Sequence, residues 1–267
     1  MTNYLEDLNL NKLTEEDKTN FDTFITQDEC LKLLKEFKNN KSSGVDEIGK
    51  SFYLKFWNII GEDLLEVLNN VYLNGKLTET MKTGLISLIY KNKGAGPEKL
   101  ISDNLLSIES ILEYKDFNGI SGILISFDQE KAFDRVEHEF IIQVLRAMNF
   151  PSNFIRWIEI IYTNISSKVI INGALSDKIE FTRPIRQGCP ISMSIYAVII
   201  EALACKVRRN NNIQGIQIPN HNTNVKLFQH ADDCSIISTN LTDYENKNLN
   251  NLVWYLARKL MKTKPKF

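Results

Sequence analysis

Acidic side chains follow apolar, β-prone runs at two places in this chain, and together they could hold a divalent cation. Asp128 ends the run ILISFD, and Asp232 and Asp233 follow the run NVKLFQHA. Carboxylates at strand ends supply the hard oxygen ligands that Mg²⁺ prefers. Two unit charges about 4 Å apart repel by roughly 4 kcal/mol at an effective dielectric near 20. A fold that brings the three acids together therefore needs a cation, and the pattern predicts metal-dependent phosphoryl chemistry.

The strands that must carry these acids are short runs rich in β-branched and aromatic residues. GILISF leads into Asp128, whereas NVKLFQ and CSIIS flank HADD, which places Asp232 and Asp233 at the tip of a β-hairpin. Further strands are predicted in GLISLIYK, SSKVIING and DKIEFT, the last two as a pair.

Helical periodicity predicts the elements that pack on these strands. Thr26 and Glu29 have the spacing of a capping box and open the first helix. A long helix is expected over 51–73, with a buried stripe formed by Phe52, Phe56, Ile59, Leu64, Val67 and Leu68. A largely apolar helix over 191–208 is expected to turn Ile195, Val198, Ile199, Ala202 and Val207 inward. Other helices are predicted over 103–114, 137–148, 152–162 and 244–261.

Bulk composition is ordinary for a globular protein. The 267 residues are 43% hydrophobic and 24% charged, with a net charge of −1, which argues mildly against a basic nucleic-acid-binding domain. No long uncharged apolar run is present, so no membrane-spanning helix and no membrane partner are expected. The four scattered cysteines predict reduced thiols and an intracellular location, in the cytoplasm, the nucleus or both. Composition leaves the oligomeric state open.

Three segments, in their order along the chain, resemble the reverse transcriptase domain of non-LTR (LINE-type) retrotransposons. FDQEKAFDRVEHEF resembles the first catalytic motif of that family, RQGCPISM the second and FQHADDCSII the third. KSSGVDEIGKSFYLKFW and ISLIYKNKG resemble its N-terminal and finger motifs, so the resemblance covers nearly the whole chain. RQGCP is the most specific short string among them.

The resemblance implies an α+β fold with a reverse-transcriptase-like palm. An antiparallel sheet carrying the three acids should be backed by the helices that follow positions 136 and 190. The implied organisation is a loosely ordered lead-in over 1–24, a truncated and mostly helical fingers region over 25–118, and the palm over 119–267. No thumb is expected.

The implied function is RNA-directed DNA polymerisation, in which two metal ions assist nucleotidyl transfer to a primer 3′ end. By resemblance, Asp128 and Asp232 hold two Mg²⁺ ions, or Mn²⁺, and Asp233 supports them. The implied partners are an RNA template, a DNA primer and deoxynucleoside triphosphates.

Six further positions match nucleotide-binding positions of the family. The aromatic residue five places after Asp128 falls where the family has a gate that excludes the ribose 2′-OH. The Gln-Gly pair of RQGCP would support the incoming nucleotide and the templating base. The arginine would meet a phosphate, the earlier lysine would touch the triphosphate or the template backbone, and the later lysine would protonate the departing pyrophosphate. The six are Lys91, Phe133, Arg186, Gln187, Gly188 and Lys264.

Two departures from the family pattern keep alternatives open. His230 stands where the family has Tyr or Phe, and imidazole is smaller and titrates near neutral pH. After ISLIYKNKG the family has a finger segment with an RPIS-type string whose Arg grips the triphosphate, and here GAGPEK leads almost directly into ISDNLLSIESILEY. The alternative is therefore an inactive remnant that retains at most nucleic-acid or protein binding. A nucleotidyl cyclase is a third class, but RQGCP has no role in that chemistry.

Overall fold

The computed structural model describes residues 5, 10–19, 21, 24–39, 44, 46, 48–87, 102–128, 136–171, 173–180, 189–219, 223–230 and 233–239. At 102–104, 127, 128 and 230 it describes the backbone. The chain forms two compact units. The hairpin unit comprises 1–11, 92–147 and 183–267, and the helical unit comprises 12–91 and 148–182.

The described residues form a mixture of helices and sheets, as predicted. The helices are α1 Glu15–Thr19, α2 Gln27–Glu36, α3 Lys50–Lys55, α4 Trp57–Asn74, α5 Glu79–Lys82, α6 Ser102–Phe117, α7 His138–Ala147, α8 Ser152–Tyr162 and α9 Pro190–Arg209. The strands are β1 Thr83–Ser87, β2 Ile123–Asp128, β3 Ser166–Ile171, β4 Ala174–Leu175, β5 Ile179–Glu180, β6 Ile216–Gln217, β7 Asn224–Val225, β8 Leu227–His230 and β9 Asp233–Ser238.

The hairpin unit is built on an antiparallel sheet with the strand order β2-β9-β8. β8 and β9 form the predicted hairpin, in which Leu227 pairs with Ile236 and His230 with Asp233. β2 lies along the other side of β9, from the pair Ile123–Ser238 to the pair Asp128–Asp233. The predicted strands around the acids are therefore confirmed.

Helix α9 contributes more buried hydrophobic residues to the hairpin unit than any other described element. It packs against β8 and against α7, and α6 also contacts β8. The predicted inward face is confirmed at four of its five positions, and the fifth, Val198, is half-buried. The four are Ile195, Ile199, Ala202 and Val207. The helix after position 190 thus packs on the sheet, and the helix after position 136 packs on that helix. The truncated fingers and absent thumb stay predictions.

Length and composition alone would allow α9 to cross a bilayer, and it is the one such helix among the described residues. Buried core helices of proteins outside membranes pass the same test. More than half of its apolar stretch is buried against the rest of this chain.

In the helical unit, the start of α2 is as predicted. The Thr26 hydroxyl accepts a hydrogen bond from the Glu29 amide at 3.3 Å, and the Glu29 carboxylate accepts one from the Thr26 amide at 3.0 Å. Each side chain accepts a hydrogen bond from a backbone N–H that has no acceptor within the first helical turn.

The predicted long helix over 51–73 is divided at Phe56 into α3 and α4, and its predicted buried stripe is wrong at three of its six positions. Ile59 is 73% exposed, and Phe52 and Val67 are exposed as well. The other three, Phe56, Leu64 and Leu68, are half-buried. The fully buried residues are Trp57, Gly61 and Val71, which the prediction did not include. A Cβ at position 61 would lie 3.1 Å from the Trp57 ring, so these two residues pack closely one helical turn apart.

The second sheet lies in the helical unit and combines parallel and antiparallel pairs. β1 pairs with β3 in parallel, and β3 pairs with both β4 and β5 in antiparallel fashion. The predicted pairing of SSKVIING with DKIEFT is confirmed by the pair Ser166–Glu180. Opposite Ser166 on the other side lies Thr83, and their hydroxyl oxygens are 3.3 Å apart.

The base of the β8–β9 hairpin is tied to the end of α9. The Lys226 ammonium donates hydrogen bonds to the carbonyls of Arg208 at 3.1 Å and Asn210 at 2.9 Å. These carbonyls lie at the C-terminal end of the helix, where carbonyls have no partner within the helix. Burial lowers the pKa of Lys226 from its usual value. At the same base of the hairpin, just after the end of β9, the Thr239 amide and hydroxyl both donate to the Gln214 carbonyl.

We predict that Lys226→Met lowers the free energy of unfolding by about 1–3 kcal/mol, because two carbonyls lose a charged donor while the apolar stem is kept. Urea unfolding followed by circular dichroism measures the change. Lys115→Met is the matched control, since the Lys115 ammonium meets the carboxylate of its neighbour Asp116 at the surface of the same unit. Equal losses in the two variants would contradict the anchoring role.

Candidate active site

The register of the hairpin unit places two of the three predicted acids opposite each other. Asp128, the last residue of β2, pairs with Asp233, the first residue of β9. Directly opposite residues of an antiparallel pair share one face of the sheet, with their Cβ atoms about 4.5–5.5 Å apart. The Asp233 side chain is exposed. One open end of the sheet therefore carries two acids that lie far apart in the sequence.

The remaining predicted site residues fall outside the described part of the chain. Because His230 pairs with Asp233, Asp232 is one of the two residues that join β8 to β9 in the sequence. Their roles stay predictions for this reason. The residues concerned are Asp232, Lys91, Phe133, Arg186, Gln187, Gly188 and Lys264.

The face of the sheet that carries the acids changes from polar to apolar along the strands. Two residues in from the acids, Ser126 pairs with Ser235, and their hydroxyl oxygens are 2.8 Å apart. Two residues further in, Leu124 pairs with Ile237, which is buried. The serine pair thus lies between the solvated end and the packed part of this face.

Sequence reasoning missed the serine pair, although the signal for it was present. A serine stands two residues before Asp128 and another two residues after Asp233. Side chains two residues apart on a strand lie on the same face, so both serines share the face of the acids. Recognising their contact also requires the register between β2 and β9, and the sequence does not contain that register.

The opposite face of the same strands is closed by packing. Cys234 is 5% exposed and Ile236 is 1% exposed. Burial raises the pKa of the Cys234 thiol to about 11. Cys234 is therefore a neutral packed residue beside the acids, and it anchors the start of β9 in the core.

A divalent cation fits the donor set of the paired acids. Like charges directly opposite each other destabilise a strand pair, and a cation between them removes that cost. Among the described residues no three His, Cys, Asp or Glu side chains lie close enough to form a complete metal site. The predicted set also needs Asp232, which lies outside those residues.

His230 occupies the third position of the acid row, because it pairs with Asp233 from the β8 side. His230, which stands where the family has Tyr or Phe, therefore lies next to an acid. The outermost row of the sheet reads His230, Asp233 and Asp128 across the three strands.

An antiparallel sheet backed by helices, with acids at one open end, is the arrangement expected of a polymerase palm. The family model for reverse transcriptase (RNA-dependent DNA polymerase) matches residues 81–266, and this chain belongs to that family. Relatives from non-LTR retrotransposons assign it further to the non-LTR reverse transcriptase domains. The resemblance drawn from the three motifs is confirmed.

Two of these relatives are much longer than this chain. The transposon TX1 uncharacterized 149 kDa protein of Xenopus laevis is 28% identical over 275 residues, which cover 87% of this chain and 21% of that protein. The retrovirus-related Pol polyprotein from type-1 retrotransposable element R2 of Popillia japonica is 22% identical, over 58% of this chain and 25% of that protein. The chain thus spans about a fifth to a quarter of their lengths.

Among solved structures, apo telomerase from Candida tropicalis, truncated from its C-terminal domain, matches with a TM-score of 0.39 and 15% identity. The match covers 85% of this chain and 43% of the telomerase chain. A score of this size does not define a shared fold, so the family membership rests on the sequence matches.

Asp233→Asn should stabilise the protein when divalent cations are chelated. The substitution removes one of two like charges at directly opposite positions, so we predict a gain of about 0.5–1 kcal/mol in the free energy of unfolding. Urea unfolding in EDTA at low ionic strength measures it, and added salt should reduce the gain. Glu109→Gln is the control, because this exposed acid lies on α6 of the same unit. A loss of stability in Asp233→Asn would show that the two acids do not repel.

The buried thiol gives a second, pH-dependent prediction. In the unfolded chain Cys234 ionises near its ordinary pKa of 9.0, whereas in the folded chain it stays neutral up to about 11. The folded state binds more protons between these values, so this contribution to stability is complete below pH 9 and is lost as the pH rises towards 11. The loss amounts to about 2–3 kcal/mol at most.

Cys234→Ala should therefore show a shallower decline in unfolding free energy between pH 9 and 11 than the wild type does. Cys189→Ala, at a half-buried thiol, serves as the control and should keep the wild-type slope. Identical slopes in all three proteins would contradict the burial of Cys234.

Proposed function

We propose that this chain is the RNA-directed DNA polymerase domain of a LINE-type retroelement, adding deoxynucleotides to a primer 3′ end. Family membership supports the class of reaction. The observation that carries the proposal for this chain is the pairing of Asp128 with Asp233 at one open end of the sheet. Polymerases need carboxylates from different strands at one place, and this register supplies them.

The proposed roles of the acids follow from the chemistry of phosphoryl transfer. Two Mg²⁺ ions, when bound, stabilise the attacking and leaving oxygens of the displacement. Asp128 and Asp232 hold these ions, and Asp233 supports the set from the start of β9. Because β2 and β9 are neighbours in one sheet, their backbone hydrogen bonds fix the separation of the acids. Little rearrangement is then needed when cations bind.

The proposed nucleotide contacts come from segments outside the described residues. Phe133 excludes a ribose 2′-OH by its bulk, so it favours deoxynucleotides. Gln187 and Gly188 support the incoming nucleotide and the templating base, since glycine permits close approach of the backbone. Arg186, Lys91 and Lys264 neutralise phosphate charge. An RNA template, a DNA primer and deoxynucleoside triphosphates are the proposed partners.

The second candidate is an inactive remnant of the same domain, favoured by the direct step from GAGPEK to ISDNLLSIESILEY. In the family this place holds a finger segment with a triphosphate-binding arginine. A lysine cannot replace the planar, bidentate guanidinium without loss, so Lys91 does not substitute for it. Such a protein would bind primer-template with salt-sensitive affinity and would not extend the primer.

Primer extension separates the two candidates. We predict that the purified chain extends oligo(dT) on poly(rA) with Mg²⁺ or Mn²⁺, and that Asp128→Asn lowers the rate by at least about a hundredfold, because one carboxylate ligand is lost. Incorporation of labelled dTTP measures the rate. Glu113→Gln, at an exposed acid on α6, is the control with unchanged rate.

Each outcome of this assay supports or rejects one of the two candidates, or tests the role of Asp128. No product, at concentrations where an intact relative extends, would reject the polymerase activity and leave the family membership standing. Salt-sensitive binding of primer-template without extension would establish the remnant. Equal extension by the wild type and Asp128→Asn would reject Asp128 as a metal ligand.

A further inference from the structure

Ser126 and Ser235 form a hydroxyl pair directly beside the acid row. Each lies two residues from an acid on its own strand, and the two serines are opposite each other across β2 and β9. Their hydroxyl oxygens are 2.8 Å apart, which is a normal O–H···O hydrogen bond. Ser126 is exposed and Ser235 is half-buried. The pair is thus reachable by water from the side that carries the acids.

The position of this bond matters because of the charges next to it. Asp128 and Asp233 are the last pair of the β2–β9 ladder among the residues that the structure describes. Repulsion between like charges at directly opposite positions favours separation of the strand ends. The serine bond is a side-chain link between the two strands on this face. It opposes that separation one row in from the acids.

The hydroxyls also retain hydrogen-bonding capacity. Each serine hydroxyl has one donor and two lone pairs, and the bond between them uses one donor and one lone pair. The other donor and three lone pairs can meet water. Hydrogen bonds to the ligands of a metal, or to water near it, orient the ligands and raise the affinity for the metal.

We propose that Ser126 and Ser235 are positioning residues for the cation site, holding Asp128 and Asp233 at the separation that a divalent cation requires. This inference rests on the proposed function, because it assumes that the acid row binds a cation. It adds Ser126, which directly precedes the first family motif, and Ser235, which lies in the third motif but had no role assigned from the sequence. The serines act through the acids and do not themselves ligate the ion.

The chain contains a matched control for this role. Thr83 and Ser166 also form a hydroxyl pair between neighbouring strands, with their oxygens 3.3 Å apart. That pair lies in the sheet of the helical unit, which does not carry Asp128 or Asp233. Its removal tests the general cost of losing a cross-strand hydroxyl contact, without any effect on the acid row.

Mn²⁺ binding to the full chain, followed by electron paramagnetic resonance of the free ion, tests the proposal without requiring polymerisation. Ser126→Ala and Ser235→Ala should each weaken Mn²⁺ binding about tenfold, the lower end of the range typical for groups that orient metal ligands. The double variant should bind about as weakly as either single variant, because both substitutions remove the same hydrogen bond. Ser126→Thr keeps the hydroxyl and suits a strand, so it should bind Mn²⁺ like the wild type.

Two controls separate positioning from general destabilisation. Ser166→Ala should leave the Mn²⁺ affinity unchanged, and the urea midpoint in EDTA should fall no further in Ser126→Ala than in Ser166→Ala. Asp233→Asn should abolish the site that the serine variants weaken. If primer extension is observed, the Mg²⁺ concentration for half-maximal rate should rise in the serine variants while the rate at saturating Mg²⁺ is retained.

The outcomes distinguish this inference from the proposed function. Wild-type Mn²⁺ binding that Asp233→Asn abolishes, with unchanged affinity in both serine variants, would overturn the positioning role and leave the polymerase proposal intact. A wild type that binds no Mn²⁺ at millimolar concentration would overturn both. The role would also be overturned if Ser126→Thr bound Mn²⁺ as weakly as Ser126→Ala. Such a result would show that the hydroxyl does not determine the affinity for Mn²⁺.

Discussion

The pairing of β2 with β9 is the constraint on which the proposed site depends. This ladder places Asp128 opposite Asp233, in the row that they share with His230. The arrangement is electrostatically costly, and a protein that needed only stability would gain by losing one of the acids. A divalent cation bound between the two acids would remove their repulsion. The register of the sheet is therefore consistent with the metal-dependent chemistry of the family.

Other contacts in the hairpin unit hold the strands in place despite the repulsion between the two acids. The face of β9 opposite the acids is buried through Cys234 and Ile236, so the strand that carries Asp233 is fixed by packing from its second residue onward. Lys226 ties the start of β8 to the end of α9. Apolar burial and a charged hydrogen-bond donor thus hold the strands in place while their ends carry like charges.

The sequence predicted the structure well wherever local patterns determine it. The β8–β9 hairpin, the capping box of α2 and the inward face of α9 follow from short-range periodicity and spacing. The buried stripe of the 51–73 helix was wrong at Phe52, Ile59 and Val67, because apolar residues occur all round this helix and the buried face centres on Trp57, Gly61 and Val71. The opposition of Ser126 and Ser235 depends on a register between distant segments, which no local pattern specifies.

That register has a consequence for the order of folding events. The closest pair of the β8–β9 ladder, His230 with Asp233, joins residues three positions apart, whereas Asp128 and Asp233 are separated by 233 − 128 = 105 positions. Closing a long loop costs more chain entropy than closing a short one, so we expect the hairpin to form first and β2 to dock onto it later. During synthesis, β2 leaves the ribosome before the strand that it will pair with exists. We therefore expect the two carboxylates to be brought together only after the hairpin has formed.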